Sequence, residues 1–225
     1  MLIRTFTLSK LNTRNLKINI MFDKFINELR KLGNLNQQEI EFLQEHAIIK
    51  IYNKNENILS SGSCSKCIYF VLDGCIRLHY YVEGKDKTAF FYNEGNFIWT
   101  SNTNNQLYLG NKNFETIEDT ILVEIDIKNA QYLMESSSNF NAIRRISKEQ
   151  ELASYQVLIA SFITLSPEER YLRLFESNKT LFQKAPQQHI ASYLGVSAET
   201  LCRIKKRIYD KNRTELYSQS KSLAY

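Results

Sequence analysis

Near the C-terminus Glu199 and Arg203 stand four residues apart, with Lys205, Lys206, Arg207, Lys211 and Arg213 close behind. A guanidinium fork matches the two acceptors on the major-groove edge of guanine, a carboxylate can accept from the cytosine amino group, and ammonium groups suit phosphate oxygens. On a helix, Ala198, Glu199, Cys202 and Arg203 would face base edges, while Gln188, Ser197, Thr200 and Lys206 are better placed for phosphates. A carboxylate beside phosphates is unfavourable unless it reads a base or orients Arg203, so Glu199 is the more informative of the pair.

A second set of residues has metal-ligand spacing: Cys64-x2-Cys67-x7-Cys75-x3-His79. Histidine is otherwise scarce, with only His46 and His189 besides His79. A cupin-like metal oxygenase or isomerase needs a cluster of histidines and carboxylates, and none is legible. The chain is therefore read as not an enzyme, with the cupin-like reading as the remoter alternative.

The polar pattern at 187–206 needs two short helices to carry it. Where they touch, Ala191 is small; Gly195 tolerates a left-handed turn; Ile190, Leu194, Val196, Leu201 and Ile204 line the inner angle; Ser197 caps the second helix. This is the pattern of a helix-turn-helix. An ordinary αα-hairpin is the plain alternative, and the basic cluster on the second helix weighs against it. From Leu165 to Tyr225 there are 11 basic and 6 acidic residues, which accounts for the whole net charge of +5 and leaves residues 1–164 neutral. A neutral body with a basic C-terminal unit points to a polyanionic partner for that unit.

Upstream, Gly62, Gly74, Gly84, Gly95 and Gly110 fall 12, 10, 11 and 15 residues apart, and both prolines lie beyond them. That rhythm predicts short strands joined by turns over residues 48–127, with Cys67–Leu72, Cys75–Tyr81, Thr88–Tyr92 and Thr120–Ile125 as strands. Asp73-Gly74 predicts a two-residue hairpin in which Leu72 faces Cys75, Phe70 faces Arg77, Ile68 faces His79 and Cys67 faces Tyr80. That register puts Tyr69, Val71, Ile76 and Leu78 on one face. It also sets Cys67 on the opposite face from Cys75 and His79, which argues against a metal centre.

From Asn129 the pattern turns helical. Ile143, Ile146, Gln150, Ala153, Val157 and Ala160 form a heptad seam, and Leu152, Ile159 and Phe162 a second apolar stripe. One stripe is expected on the chain's own β domain and the other on the same helix of a second subunit, giving a two-fold dimer. A helix buried wholly within one chain is the alternative. Ser166-Pro167-Glu168-Glu169 starts the next helix, and Ala185-Pro186 another.

With 43% hydrophobic and 24% charged residues the chain can bury a core, which excludes wholesale disorder. No run approaches the roughly 20 apolar residues of a membrane-spanning helix. Four cysteines without a secretory signal fit a reducing, cytoplasmic setting. Residues 1–20 carry Arg4, Lys10, Arg14 and Lys17 and no acid, and translation is expected to begin at Met21, where helical periodicity starts at Phe22. A transit peptide is the alternative.

A β-roll, a long helix and a helix-turn-helix with Glu-Thr-x-x-Arg in its second helix resemble the Crp–Fnr family of bacterial transcription regulators. The resemblance runs from about Met21 to Lys211. It rests on Tyr69-Phe70-Val71-Leu72-Asp73-Gly74, on Glu94-Gly95-Asn96-Phe97-Ile98 and, most specifically, on Ser197-Ala198-Glu199-Thr200-Leu201-Cys202-Arg203-Ile204. It implies that Glu199 and Arg203 read bases and that a dimer binds an inverted repeat. The departures matter as much. Members that bind cyclic nucleotides hold the phosphate with Gly-Glu and, about ten residues later, Arg-Ser or Arg-Thr. Trp99-Thr100 stands where Gly-Glu would, and no arginine occurs between Arg77 and Arg144. Lys112 would be a poor clamp. The iron-sulfur branch keeps several cysteines in an N-terminal extension that has none here; redox sensing by Cys64 or Cys67 and haem ligation by His79 are lesser alternatives.

The expected fold is α+β: an N-terminal double-stranded β-helix of jelly-roll type, a long dimerisation helix and a C-terminal winged helix-turn-helix. The expected division is a leader at 1–20, an effector-type β-roll at 21–135, a dimerisation helix at 136–165 and a DNA-binding domain at 166–225. The expected function is sequence-specific DNA binding as a homodimeric transcription regulator, with a non-specific architectural DNA-binding protein as the alternative. Double-stranded DNA and RNA polymerase are the expected partners; no cofactor and no membrane are expected, and the small-molecule effector is left open.

Overall fold

Asparagine, glycine and acidic turn residues break a chain rich in β-branched and aromatic residues into eight strands among the described residues: β1 (Ala47–Tyr52), β2 (Asn57–Leu59), β3 (Cys67–Asp73), β4 (Cys75–Val82), β5 (Lys85–Asn93), β6 (Phe97–Ile98), β7 (Asn113–Thr116) and β8 (Thr120–Asp126). The structure, a computed structural model, describes residues 3–60, 66–99 and 112–222; Gly62, Cys64, Thr100 and Gly110 lie outside them. The strands form two four-stranded sheets, β1-β8-β3-β6 and β2-β7-β4-β5. This is jelly-roll order.

The hairpin predicted at Asp73-Gly74 does not form. β3 pairs with β8, setting Ile68 opposite Ile125 and Phe70 opposite Val123, while β4 pairs with β7, setting Arg77 opposite Glu115 and His79 opposite Asn113. Tyr69 and Val71 therefore lie in one sheet, and Ile76 and Leu78 in the other. Gly74 is a corner between the sheets. Its φ is +96°, and a Cβ there would sit 2.5 Å from Thr120 Oγ1 and 2.8 Å from the Asp119 carbonyl oxygen. Asp-Gly supplies the positive φ that either a hairpin or a corner requires. What selects the corner is burial: Val71, Leu72, Cys75 and Ile76 are at most 1% exposed, so both faces of each strand are covered. The two-residue hairpin turn is instead Glu83-Gly84, with φ 51° and 72°, between β4 and β5.

The chain forms two units. The first contains the residues up to His79 together with Phe91–Tyr155; the second contains Tyr80–Phe90 and the residues from Gln156 onward.

In the first unit, helices α1 (Ile3–Leu32), α2 (Gln37–His46), α3 (Ile127–Ser136) and the start of α4 (Ser138–Thr164) close one sheet. Phe25, Leu29, Leu43, Phe70, Val123 and Phe140 share its core, and Phe22 packs against it. Asn36 and Glu39 form a capping box at α2. Glu39 also accepts from Ser137 Oγ and Asn139 Nδ2, tying α2 to the α3–α4 joint.

Along α4 the buried face is Phe140, Ile143 and Ser147, continued by half-buried Glu151 and Tyr155. Neither predicted stripe packs as a whole on the β-roll. Gln150, Ala153, Val157 and Ala160 of the seam are exposed, and Leu152 and Ile159 of the second stripe are 56% and 59% exposed. The packed face was illegible because it is partly polar.

In the second unit α5 (Pro167–Ser177) starts at the Ser166–Glu169 capping box with Pro167 in its first turn. α6 (Leu181–Lys184), α7 (Gln187–Tyr193) and α8 (Ala198–Ser222) follow. Tyr171, Leu181, Ala185, Ile190, Leu194 and Leu201 are buried. No strand follows Asp126 among the described residues, so the predicted wing is not formed there. The chain continues as the single helix α8 instead.

Candidate nucleic-acid interface

The turn between α7 and α8 is built by backbone hydrogen bonds. Gly195 N–H donates to the Ser192 carbonyl at 3.0 Å and Val196 N–H to the Ala191 carbonyl at 3.0 Å, with Gly195 at φ +70°. This is a Schellman ending, which requires a left-handed residue at Gly195. A Cβ at Gly195 would also meet the Phe162 ring at 2.7 Å.

Arg170 completes the turn from α5. Its Nε and Nη2 donate to the Leu194 carbonyl at 3.2 and 3.1 Å, and its Nη1 donates to the Leu165 carbonyl at 2.8 Å. The guanidinium lies 4.8 Å from the centre of the Phe162 ring. A carbonyl at the end of α7 is thus satisfied by a charged donor 24 residues away in sequence. Sequence reasoning missed this role, because no local signal links Arg170 to Leu194. It also missed Ser192, whose hydroxyl accepts from the Thr88 backbone N–H at 2.9 Å within the same unit. Burial pushes the Tyr193 phenol up to about 12.

α8 begins as the sequence indicates. Ser197 Oγ accepts from Thr200 N–H at 3.1 Å and lies 3.0 Å from the Thr200 hydroxyl. Leu201 and Ile204 point into the core, while Ala198, Glu199, Cys202, Arg203 and Lys206 lie exposed on the other side. Gln188 on α7 and Ser197 are exposed as well, and Thr200 is half-buried. Glu199, Arg203 and Lys206 form no hydrogen bond or ion pair among the described residues, and in particular Glu199 does not pair with Arg203. Cys202 and Arg207 on the same helix have structural contacts. Cys202 Sγ accepts from Gln187 Nε2 at 3.3 Å, and Arg207 donates to Glu168 at 2.9 Å.

The interior of the β-roll is different. Arg77 and Glu115 form an ion pair at 2.6 Å, with the Arg77 side chain only 4% exposed. Tyr92 Oη donates to Glu151 at 2.9 Å and lies 2.6 Å from Tyr155 Oη, which also donates to Glu151 at 2.8 Å. Burial, then the charges of Tyr155 and Glu151, push the Tyr92 phenol far above the usual range. Lys112, the suggested substitute phosphate ligand, is half-buried.

The cysteines do not gather. Cys67 on β3 lies opposite Asp126, and Cys75 and His79 are on β4 in the other sheet. The predicted separation of Cys67 from His79 thus arises from a sheet switch rather than from strand alternation. Among the described residues no group of three or more His, Cys, Asp or Glu side chains is arranged to hold a metal ion, and Cys64 lies outside them. Burial, then the charges of Glu124 and Asp126, push the Cys67 thiol up, which disfavours the reactive thiolate. Among the described residues no helix is long and apolar enough to cross a membrane.

No protein-family model matches the chain, and no curated protein matches it. Solved structures do. CLP from Xanthomonas campestris, described as a c-di-GMP-responsive global regulator, is 16% identical with a TM-score of 0.62, over 79% of this chain and 93% of that one. A regulator from Eubacterium rectale ascribed to the crp/fnr family is 16% identical with a TM-score of 0.62, over 79% and 85%. FixK2 from Bradyrhizobium japonicum is 18% identical with a TM-score of 0.61, over 74% and 86%. The fold is that of the Crp–Fnr regulators.

Proposed function

We propose that this chain is a transcription regulator of the Crp–Fnr family that binds a specific inverted-repeat operator as a homodimer. The observation that carries the reading is the exposed face of α8, where Glu199, Arg203 and Lys206 have no partner among the described residues although Glu199 and Arg203 lie one helical turn apart. Charged side chains left unpaired on a rigidly supported helix are available to a polyanion. The fold shared with CLP and the Eubacterium rectale regulator supports the same conclusion.

In this reading residues 166–225 are the DNA-binding domain. Arg203 takes the acceptors of a guanine and Glu199 the amino group of a cytosine, with Ala198 and Cys202 at neighbouring base edges. Gln188, Ser197, Thr200 and Lys206 bind phosphates and fix the register. Residues 136–165 are the dimerisation helix, whose seam at Gln150, Ala153, Val157 and Ala160 is exposed in a single chain and would be covered by its two-fold mate. Residues 21–135 are the effector-type roll. Its changes shift how the two helices meet, which sets the two recognition helices about 34 to 36 Å apart. The regulator works in the cytoplasm with RNA polymerase as its partner. The effector is left open; a cyclic nucleotide held in the usual way is not expected, since Trp99-Thr100 replaces the phosphate-binding Gly-Glu and no arginine lies between Arg77 and Arg144.

Selection from a pool of short random duplexes, with affinity followed against salt, tests the reading. Enrichment of an inverted repeat with half-sites about one helical turn apart is expected. Enrichment of no sequence, with binding that fades steeply as salt rises, would instead mark a non-specific architectural protein.

A further inference from the structure

The first unit holds a cleft of about 570 Å³ that the proposed function does not use. Its size lies within the range of small-molecule sites. Its apolar lining is Ile68 at the start of β3, Trp99 just after β6, and Ile127 and Met134 on α3, which also contributes Gln131 and Glu135. The opposite wall is the first three turns of α4, which present Asn141, Arg144 and Lys148.

Two cations share that wall without an acid between them. Among the described residues Arg144 has one weak hydrogen bond, to Asn141 Oδ1 at 3.5 Å. The Lys148 ammonium lies 5.5 Å from the centre of the Trp99 ring. Burial, then the charge of Arg144, push Lys148 below the usual lysine range, and Glu151 only partly opposes them. Each carboxylate nearby has a partner other than Arg144 and Lys148, Glu135 keeping its charge because its partner is a neutral amide. Glu135 on the α3 wall accepts from Gln131 Nε2 at 2.9 Å, Glu149 pairs with Arg145 at 3.2 Å, and Glu151 holds the two tyrosine hydroxyls. The indole is held in place: Trp99 Nε1 donates to Ser147 Oγ at 3.2 Å, and Phe97 stacks on the ring at 4.9 Å. Two neighbouring positive charges at the mouth of a preformed apolar cleft are mutually unfavourable until an anion enters.

We propose that this cleft binds a small anionic amphiphile, a hydrocarbon body with one carboxylate head, the head on Arg144 and Lys148 and the body against Ile68, Ile127, Met134 and the edge of Trp99. Arg144 supplies a planar fork and Lys148 a point charge, a pair suited to a carboxylate. The hydrocarbon contributes through apolar surface removed from water. α4 also carries the seam, so occupancy would reach the dimer contact. That consequence rests on the regulator reading, whereas binding itself does not.

Trp99 is the only tryptophan in the chain, so its emission reports directly on the cleft. Decanoate, decanol and inorganic phosphate are titrated separately into the full-length protein, following fluorescence and, for the variants, heat of binding. Decanoate is expected to saturate with a Kd below about 1 mM, and decanol and phosphate to bind at least about tenfold more weakly. Arg144→Gln and Lys148→Gln should each weaken decanoate about tenfold or more. Lys54→Gln, which removes the same charge from an exposed position away from the cleft, should leave it unchanged. No saturable change with decanoate overturns the proposal. So does equal binding of decanol, which would mean the cations are idle, equal binding of phosphate, which would mean a plain anion site, or an equal loss in all three variants. These readouts need no DNA, so failure of the ligand site and failure of the regulator reading are distinguishable.

Discussion

Charged and hydroxyl side chains behave differently in the roll and on α8. In the roll Arg77 is closed on Glu115, and Tyr92 is closed, with Tyr155 of α4, on Glu151 of α4. On α8 Glu199, Arg203 and Lys206 face outward with no partner among the described residues. A buried polar group without a partner costs free energy, so the roll's groups find partners inside the chain and serve architecture. An exposed helix pays no such penalty, and its unpaired charges remain available for a ligand. Arg170 and Arg203 repeat the contrast inside one unit, since Arg170 is spent on two carbonyls and Arg203 on none.

The largest expected effect lies in the roll. Gly74→Ala combines a positive φ with a Cβ 2.8 Å from the Asp119 backbone oxygen, and should destabilise the protein by roughly 2 to 5 kcal/mol, measured by denaturant unfolding. Next comes the support beneath the candidate interface. Arg170→Ala leaves the Leu194 carbonyl without its charged donors and should cost about 2 to 3 kcal/mol of stability, with DNA affinity falling although Arg170 lies outside the proposed DNA contacts. Unchanged thermal unfolding would show that the turn holds itself.

The contrast predicts a further split on the helix itself. Arg203→Ala should cost about 1 to 3 kcal/mol on the selected operator and relax choice at one base pair of each half-site. Lys206→Ala should weaken operator and random duplexes alike, both read by fluorescence anisotropy. Equal loss on both duplexes for both variants would remove the direct-readout assignment.

The smallest effect is alkaline. The Tyr193 phenol is raised to about 12 in the folded chain against 10 when free. The folded state therefore keeps a proton that the unfolded state releases, and the stability this contributes is present below pH 10 and lost as pH rises toward 12. Tyr193→Phe should flatten the fall in unfolding free energy across that window. A slope identical to that of the parent chain would place the alkaline loss elsewhere.

How far the sequence could be read follows from the distance between cause and effect along the chain. Gly195 and Ser197 set the local backbone, and each stands in the role its spacing indicated, a left-handed turn and a helix cap. The corner at Gly74 is not legible because Asp-Gly specifies a local φ and not the packing partner, which comes from 46 residues further on at Thr120. The packed face of α4 was hidden because Ser147, Glu151 and Tyr155 carry hydroxyl and carboxyl groups that hydrophobic periodicity passes over. The wing rests on the family resemblance alone, and the described residues after Gly195 form a helix instead.

The most direct test of sequence reading by α8 is Glu199→Gln, assayed against the selected operator and a random duplex of equal length. A carboxylate that accepts from a cytosine should be missed on the operator, so affinity there should fall by about tenfold while random DNA is bound equally or more tightly. Tighter binding to both by the same factor would mean that Glu199 only repels phosphates, and would contradict a sequence-specific regulator.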